Sequence, residues 1–186
     1  MNKIYIKEFQ IEADRKNKMG SEGIVYLFGD YVIKRVTARG IAYEPTERDR
    51  IHKLHEFLTK IEHPNIAPVL FIRTKKDEKG NFEYIEILKK KYLPLRKDER
   101  QIVFNFYMVL KRHFNSSSLK QAMQYFIAMQ DQDYQDNLKK LASAILLLKR
   151  KGVSSYLATL GGKPYFDLHD NNVMKKEDGE WIIIDF

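Results

Sequence analysis

Asp167-Leu168-His169-Asp170-Asn171-Asn172 leads into Val173-Met174, then Lys175-Lys176-Glu177-Asp178-Gly179-Glu180, then Trp181-Ile182-Ile183-Ile184-Asp185-Phe186. The two apolar runs are rich in strand formers, and Asp-Gly between them signals a hairpin. With Asp178 and Gly179 as a two-residue turn, Glu177 pairs with Glu180, Met174 with Ile183 and Asn172 with Asp185. Directly opposed residues put their side chains on one face, with Cβ atoms about 5 Å apart. Two oxygen donors at that separation can chelate one hard cation. Magnesium suits such a site, taking one or two protein ligands plus substrate phosphates. The same pattern also describes an ordinary polar rim on a surface hairpin.

A second hairpin is written near the other end. Lys18-Met19-Gly20-Ser21-Glu22-Gly23-Ile24-Val25-Tyr26 precedes Leu27-Phe28-Gly29-Asp30-Tyr31-Val32-Ile33-Lys34. A turn at Gly29-Asp30 sets Leu27 opposite Val32 and Val25 opposite Lys34. Period-2 alternation then puts Val25, Leu27, Val32 and Lys34 on one face. A lysine among three apolar side chains calls for an anion to meet it. Apolar groups to clamp a base, a lysine for phosphates and a glycine-bearing loop whose amides can approach closely make a nucleotide cradle. By itself, such a loop also reads as a plain turn.

Taken together, the two ends resemble the protein kinase-like superfamily. Gly20 to Tyr26 is similar to the glycine-rich loop, with Lys18 at its first glycine position. Val32-Ile33-Lys34 resembles the V-A-I-K strand. His63-Pro64-Asn65-Ile66 resembles the H-P-N-I turn after helix C, Asp167 to Asn172 the catalytic loop, and Asp185-Phe186 the start of D-F-G. The resemblance runs from about residue 18 to the end, with five motifs in order. It implies an α+β, two-lobed kinase-like fold: residues 1–92 form an N-lobe with an antiparallel sheet, and residues 93–186 a truncated, mainly helical C-lobe. It also implies ATP and magnesium as cofactors. Lys34 would bind the α/β-phosphates under a loop of Gly20, Ser21 and Gly23, with Val25 and Val32 beside the base. Asn172 and Asp185 would hold the metal, and Asp167 would orient the attacking hydroxyl. The family's helix glutamate maps by position to Leu54, so Glu47, two turns earlier on the same face, is taken as the partner of Lys34.

The departures shape the functional expectation. Tyr165-Phe166 replaces the His-Arg before the catalytic aspartate, and His169 is similar to the histidine of aminoglycoside phosphotransferases and choline kinases. The apolar run before Asp-Phe and the lack of an activation segment resemble RIO-type atypical kinases. The expectation is a minimal Mg-ATP-dependent phosphotransferase, foremost a compact protein serine/threonine kinase of viral, phage or bacterial effector type, with tyrosine also open as acceptor. A small-molecule kinase is the enzymatic alternative, and a pseudokinase acting as a binding or inhibitory module is the other. A protein substrate is expected, together with an acidic partner completing the lower lobe.

Composition sets the outer bounds. The chain has 186 residues, no cysteine and a net charge of +8. Disulfides and cysteine-based zinc sites are therefore excluded. No apolar run approaches the ~18 residues of a membrane span, and Met1 to Lys7 alternates like a strand rather than a signal peptide. The expected setting is cytoplasmic, in a host if the chain is viral or an effector. The lysine clusters read as solvated faces. No nucleic-acid motif accompanies them, so a nucleic-acid partner is not expected.

Between the ends, Pro45 opens a helix with a buried stripe at Ile51, Leu54, Leu58 and Ile61. Strands follow over Ile66–Ile72 and Phe82–Leu88, and the lobe connection falls near Lys91 to Pro94. Helices cover Lys97–Phe114 and Leu119–Met129, around a serine run that serves as linker and cap. Leu138, Leu141, Ala142, Ile145 and Leu148 mark a last helix, stopped by Gly152. Gly161-Gly162-Lys163 is not a P-loop, because Leu157 holds the first glycine position and Pro164 follows the lysine.

Overall fold

The computed structural model describes residues 17–20, 23–37, 45–76, 78–80, 82–157, 159–160 and 163–185. The strand expected over the first residues lies outside them.

β1 (Asn17–Gly20), β2 (Gly23–Phe28), β3 (Tyr31–Thr37), β4 (Val69–Lys76) and β5 (Phe82–Lys90) form one sheet in the order β1-β2-β3-β5-β4. Each neighbouring pair is antiparallel. The β2–β3 register is the expected one, with Val25 opposite Lys34 and Leu27 opposite Val32. Gly29 occupies the turn with φ +51°, a value that favours glycine. α1 (Pro45–Leu58) starts at its proline, as a first helical position allows. Its Ile51, Leu54 and Leu58 are buried in one core with Val36, Ile85 and Ile87 of the sheet.

α2 (Lys97–His113), α3 (Leu119–Ala128) and α4 (Gln132–Arg150) follow. α4 buries Leu138, Leu141, Ile145 and Leu148 at helical spacing. It ends where Gly152 takes φ +84°, the left-handed stop of many helices. The expected serine cap is not made. Ser118 stands at the N-cap of α3 in a helical conformation without a side-chain cap bond. Its hydroxyl instead lies 3.0 Å from His113 Nδ1, and Ser116 Oγ accepts the Ser118 N–H.

After a 3₁₀ turn at Val153–Ser155, β6 (Thr159–Leu160) pairs with β7 (Lys163–Pro164). The last hairpin is β8 (Val173–Lys175) with β9 (Trp181–Ile183). Its register corrects the sequence expectation by one residue. Val173 faces Ile183, Met174 faces Ile182 and Lys175 faces Trp181. The loop is three residues rather than two. Lys176 and Glu180 close it, with Lys176 N–H donating to Glu180 O at 2.8 Å, and Gly179 takes φ +89°. A three-residue loop ending in a left-handed glycine is the next commonest hairpin solution after the two-residue turn.

This hairpin is held on both edges. Leu93 bridges Lys175 through two backbone bonds of 2.8 Å. On the other side Ile183 N–H donates to Asn65 O at 2.9 Å, and Ala67 N–H to Ile183 O at 2.8 Å. Ile66 and Ala67 therefore pair with β9 instead of starting β4, which begins at Val69. The H-P-N-I segment thus joins sheet to hairpin, with buried Asn65 also donating Nδ2 to Trp181 O at 2.8 Å. Trp181 is fully buried, beside Tyr134 at 6.2 Å between ring centroids.

Trp181→Ala is expected to destabilise the protein by about 3–5 kcal/mol. Urea unfolding followed by circular dichroism measures it; a loss below about 1 kcal/mol would contradict this packing.

Candidate functional site

The site is assembled from three separated segments. β3 contributes Lys34, on the same sheet face as Val32 and Val25. The loop between β7 and β8 contributes Asp167 and Asn172. The residues after β9 contribute Asp185. Lys34 Nζ forms an ion pair with Asp185 Oδ2, 151 residues away in sequence. Asn172 Nδ2 donates to the Asp167 carbonyl at 2.7 Å, and Ile184 N–H donates to the Asn172 carbonyl at 2.9 Å. A continuous path of bonds therefore runs from the sheet lysine through residues 185 and 184 to the 167–172 loop.

Arg100 of α2 clamps that loop, with Nε to Asp170 Oδ2 at 2.9 Å and Nη2 to Asn171 Oδ1 at 2.7 Å. Inside the loop, Asn172 N–H donates to His169 O at 2.9 Å. Asp167 accepts from Tyr165 Oη at 3.3 Å, and His169 Nε2 lies 3.8 Å from its other oxygen. Tyr165 also bonds Tyr107 of α2 through their hydroxyls. Burial, then the Tyr107 bond, then the Asp167 charge push the Tyr165 phenol pKa upward, so it stays a neutral donor to Asp167.

Lys34 stands opposite Val25 as the hairpin register required, and Asp167 lies in the loop before β8. The Asn172–Asp185 pairing does not hold: Asn172 lies opposite Ile184, because the three-residue loop moves the register by one. In a regular ladder this offset would turn Asn172 and Asp185 to opposite faces, so a cation shared by both depends on the backbone leaving strand geometry after Ile183, where β9 ends. The donor chemistry still fits one. The Asn172 amide nitrogen is engaged by Asp167, which leaves Oδ1 as the acceptor available to a metal. Among the described residues no three histidine or carboxylate side chains converge as a metal site. Any ion here would complete its shell with phosphate and water. Gly20 and Gly23 pair at the end of β1–β2. Ser21 lies outside the described residues. Glu47 lies on α1, but its side chain falls outside the description.

Two further residues belong to the cluster. Lys89 of β5 donates from its ammonium to the Ile184 carbonyl. His55 of α1, only 2% exposed, has Nδ1 2.8 Å from the Ile51 carbonyl. A carbonyl only accepts, so Nδ1 carries the proton and Nε2 is a bare acceptor. Nε2 is buried without a hydrogen-bond partner. Both residues follow patterns visible in the sequence. Lys89 is in phase with Ile85 and Ile87 on a strand, and His55 is four after Ile51 on a helix.

Charge and burial act together on this cluster. Burial alone would raise the Asp185 pKa, but the Lys34 and Lys89 ammonium groups outweigh it and hold the carboxyl well below its ordinary range. Burial lowers the Lys89 pKa, opposed by Asp185 and reinforced by Lys34. For His55, burial and then the Lys89 charge lower the pKa from 6.5 to about 3.

The antiparallel sheet, α1 against it and the helices beyond make an α+β fold. No protein family and no curated protein matches the sequence. Among solved structures, the MAP kinase LmaMPK10 from Leishmania major is similar at 18% identity and a TM-score of 0.48, over 93% of this chain and 45% of that one. The apo form of PpkA-294 is similar at 14% identity and a TM-score of 0.48, over 92% of this chain and 56% of that one. The chain spans about half the length of these structures. Among the described residues, no helix is long and apolar enough to cross a membrane.

A histidine with a depressed folded pKa binds fewer protons folded than unfolded. Its contribution to stability is complete above about pH 6.5 and is lost as pH falls toward 3. Between pH 7 and pH 5 the protein is expected to lose about 2 kcal/mol more than a His55→Leu variant does. Urea midpoints at the two pH values check this; equal losses would mean His55 is not held neutral.

Proposed function

We propose that this chain is an ATP- and magnesium-dependent phosphotransferase acting on a hydroxyl acceptor. The observation that carries the reading is the Lys34–Asp185 ion pair, bonded through Ile184 and Asn172 to the Asp167 loop. It links, through one path of bonds, the cation proposed for phosphates, the carboxylate proposed for a metal and the loop of the carboxylate proposed for an acceptor hydroxyl.

In this reading, Lys34 turns from Asp185 to the nucleotide phosphates, under the loop that Gly20 and Gly23 bracket. Val25 and Val32 supply apolar surface for the base. Asn172 Oδ1 and Asp185 would hold magnesium, which would supply charge neutralisation on the transferring group. Asp167, steadied by the Tyr165 hydroxyl, orients the acceptor hydroxyl. The work of these residues is positioning and electrostatic stabilisation.

A protein serine or threonine is the proposed acceptor. A groove of about 450 Å³ beside the loop is lined by Leu95, Lys97, Arg100, Gln101, Phe104 and Asp170. Its open surface, part charged and part apolar, suits an extended peptide more than an enclosed metabolite. A connection near Lys91 to Pro94 would divide the chain into a sheet lobe, residues 1–92, and a helical lobe, residues 93–186, with an acidic partner against the latter. A non-catalytic binding module is the second reading. It is favoured by the pairing of Asp185 with Lys34 and by the one-residue offset from Asn172.

Asp167→Ala should abolish phosphate transfer to protein substrates while leaving the affinity for ATP within about threefold of the parent. Transfer of labelled phosphate and nucleotide titration read the two quantities. Undiminished transfer by the variant would remove Asp167 from the role assigned to it.

A further inference from the structure

The face of the sheet that bears Lys34 carries a second lysine. In the β3–β5 register Lys34 faces Ile87 and Val32 faces Lys89. Opposed residues share a face, and so do residues two apart on a strand. Val32, Lys34, Ile87 and Lys89 therefore project to one side. Both ammonium groups end on the same two residues, Lys34 on the Asp185 carboxylate and Lys89 on the Ile184 carbonyl. The Asp185 charge acts on both, and each lysine acts on the other through space.

Burial alone does not favour a lysine at position 89, although its bond to the Ile184 carbonyl and the Asp185 charge offset part of the cost. Ile85 and Ile87 precede it on the same face and are fully buried. An apolar side chain would continue that surface without the desolvation cost of an ammonium group. Placing it near the Lys34 ammonium adds like-charge repulsion. Two neighbouring cations on one face of the sheet suit a ligand bearing several negative charges. Two ammonium groups also carry the charge of one divalent ion, and here they surround the carboxylate that would tie such an ion to phosphate.

We propose that Lys34 and Lys89 together bind the polyphosphate of a nucleotide without a divalent cation, the two ammonium groups supplying the charge that a metal otherwise brings to binding. The inference rests on the nucleotide reading above and concerns binding only. Transfer still calls on the metal. Lys89 would turn from the Ile184 carbonyl toward the phosphates, next to Val32 and the base. The vacated carbonyl would be left to solvent admitted with the ligand.

The test is isothermal titration of the full chain with ATP, and separately with inorganic tripolyphosphate, in EDTA and in magnesium. ATP should bind in EDTA within about fivefold of its affinity in magnesium, and tripolyphosphate should compete with it. Lys89→Met should weaken binding in EDTA by about tenfold or more, with a smaller effect in magnesium, while Lys89→Arg should retain most of the affinity. The wild-type comparison stands even if Lys89→Met fails to fold. ATP binding in magnesium but not in EDTA would overturn the two-lysine proposal and leave the phosphotransferase reading intact. Unchanged EDTA affinity in a folded Lys89→Met would also overturn it. Binding in neither condition would overturn both.

Discussion

The peptide group and side chain at Ile184–Asp185 hold the candidate site together. Ile184 N–H is bonded to Asn172 O, the Ile184 carbonyl accepts Lys89, and the Asp185 carboxylate accepts Lys34. Two consecutive residues thereby connect β3, β5 and the 167–172 loop. Their position depends in turn on β9, which is pinned by Asn65 and Ala67 on one edge and by β8 on the other. A shift of β9 by one residue would exchange which of these groups faces the sheet, because side chains alternate along a strand.

The polar cluster is set into an apolar frame. Leu54 and Leu58 of α1 and Ile85 and Ile87 of β5 are buried around it. Such surroundings strengthen the attraction between ammonium and carboxylate but penalise any charge left alone. His55 is kept neutral there.

Much of the site was legible in the sequence. The alternation of Val25, Leu27, Val32 and Lys34 with a Gly-Asp turn led to the observed β2–β3 register. The spacing of Asp167 and Asn172 placed both on one loop, where they are hydrogen-bonded. The hairpin at the end was legible as a hairpin but not in its register. Asp-Gly fits either a two-residue turn or the last two positions of a three-residue loop, and the local residues do not choose between them. Edge bonds from Leu93, Asn65 and Ala67 help hold the three-residue form. Lys89 and His55 were missed, Lys89 being read as part of a solvated lysine cluster, although both are polar residues in apolar phase, the signal that singled out Lys34.

The sequence by itself determined the elements and their faces, because hydrophobic period, turn glycines and helix-stopping residues act over a few positions. It also singled out candidate side chains for phosphate, metal and a hydroxyl. Only the tertiary structure decided which of them meet. Lys34 and Asp185 are far apart in the chain, and their contact follows from how β9 docks against residues 65–67 and β8. That docking sums many weak long-range packing and backbone terms, none of which is written in any one segment.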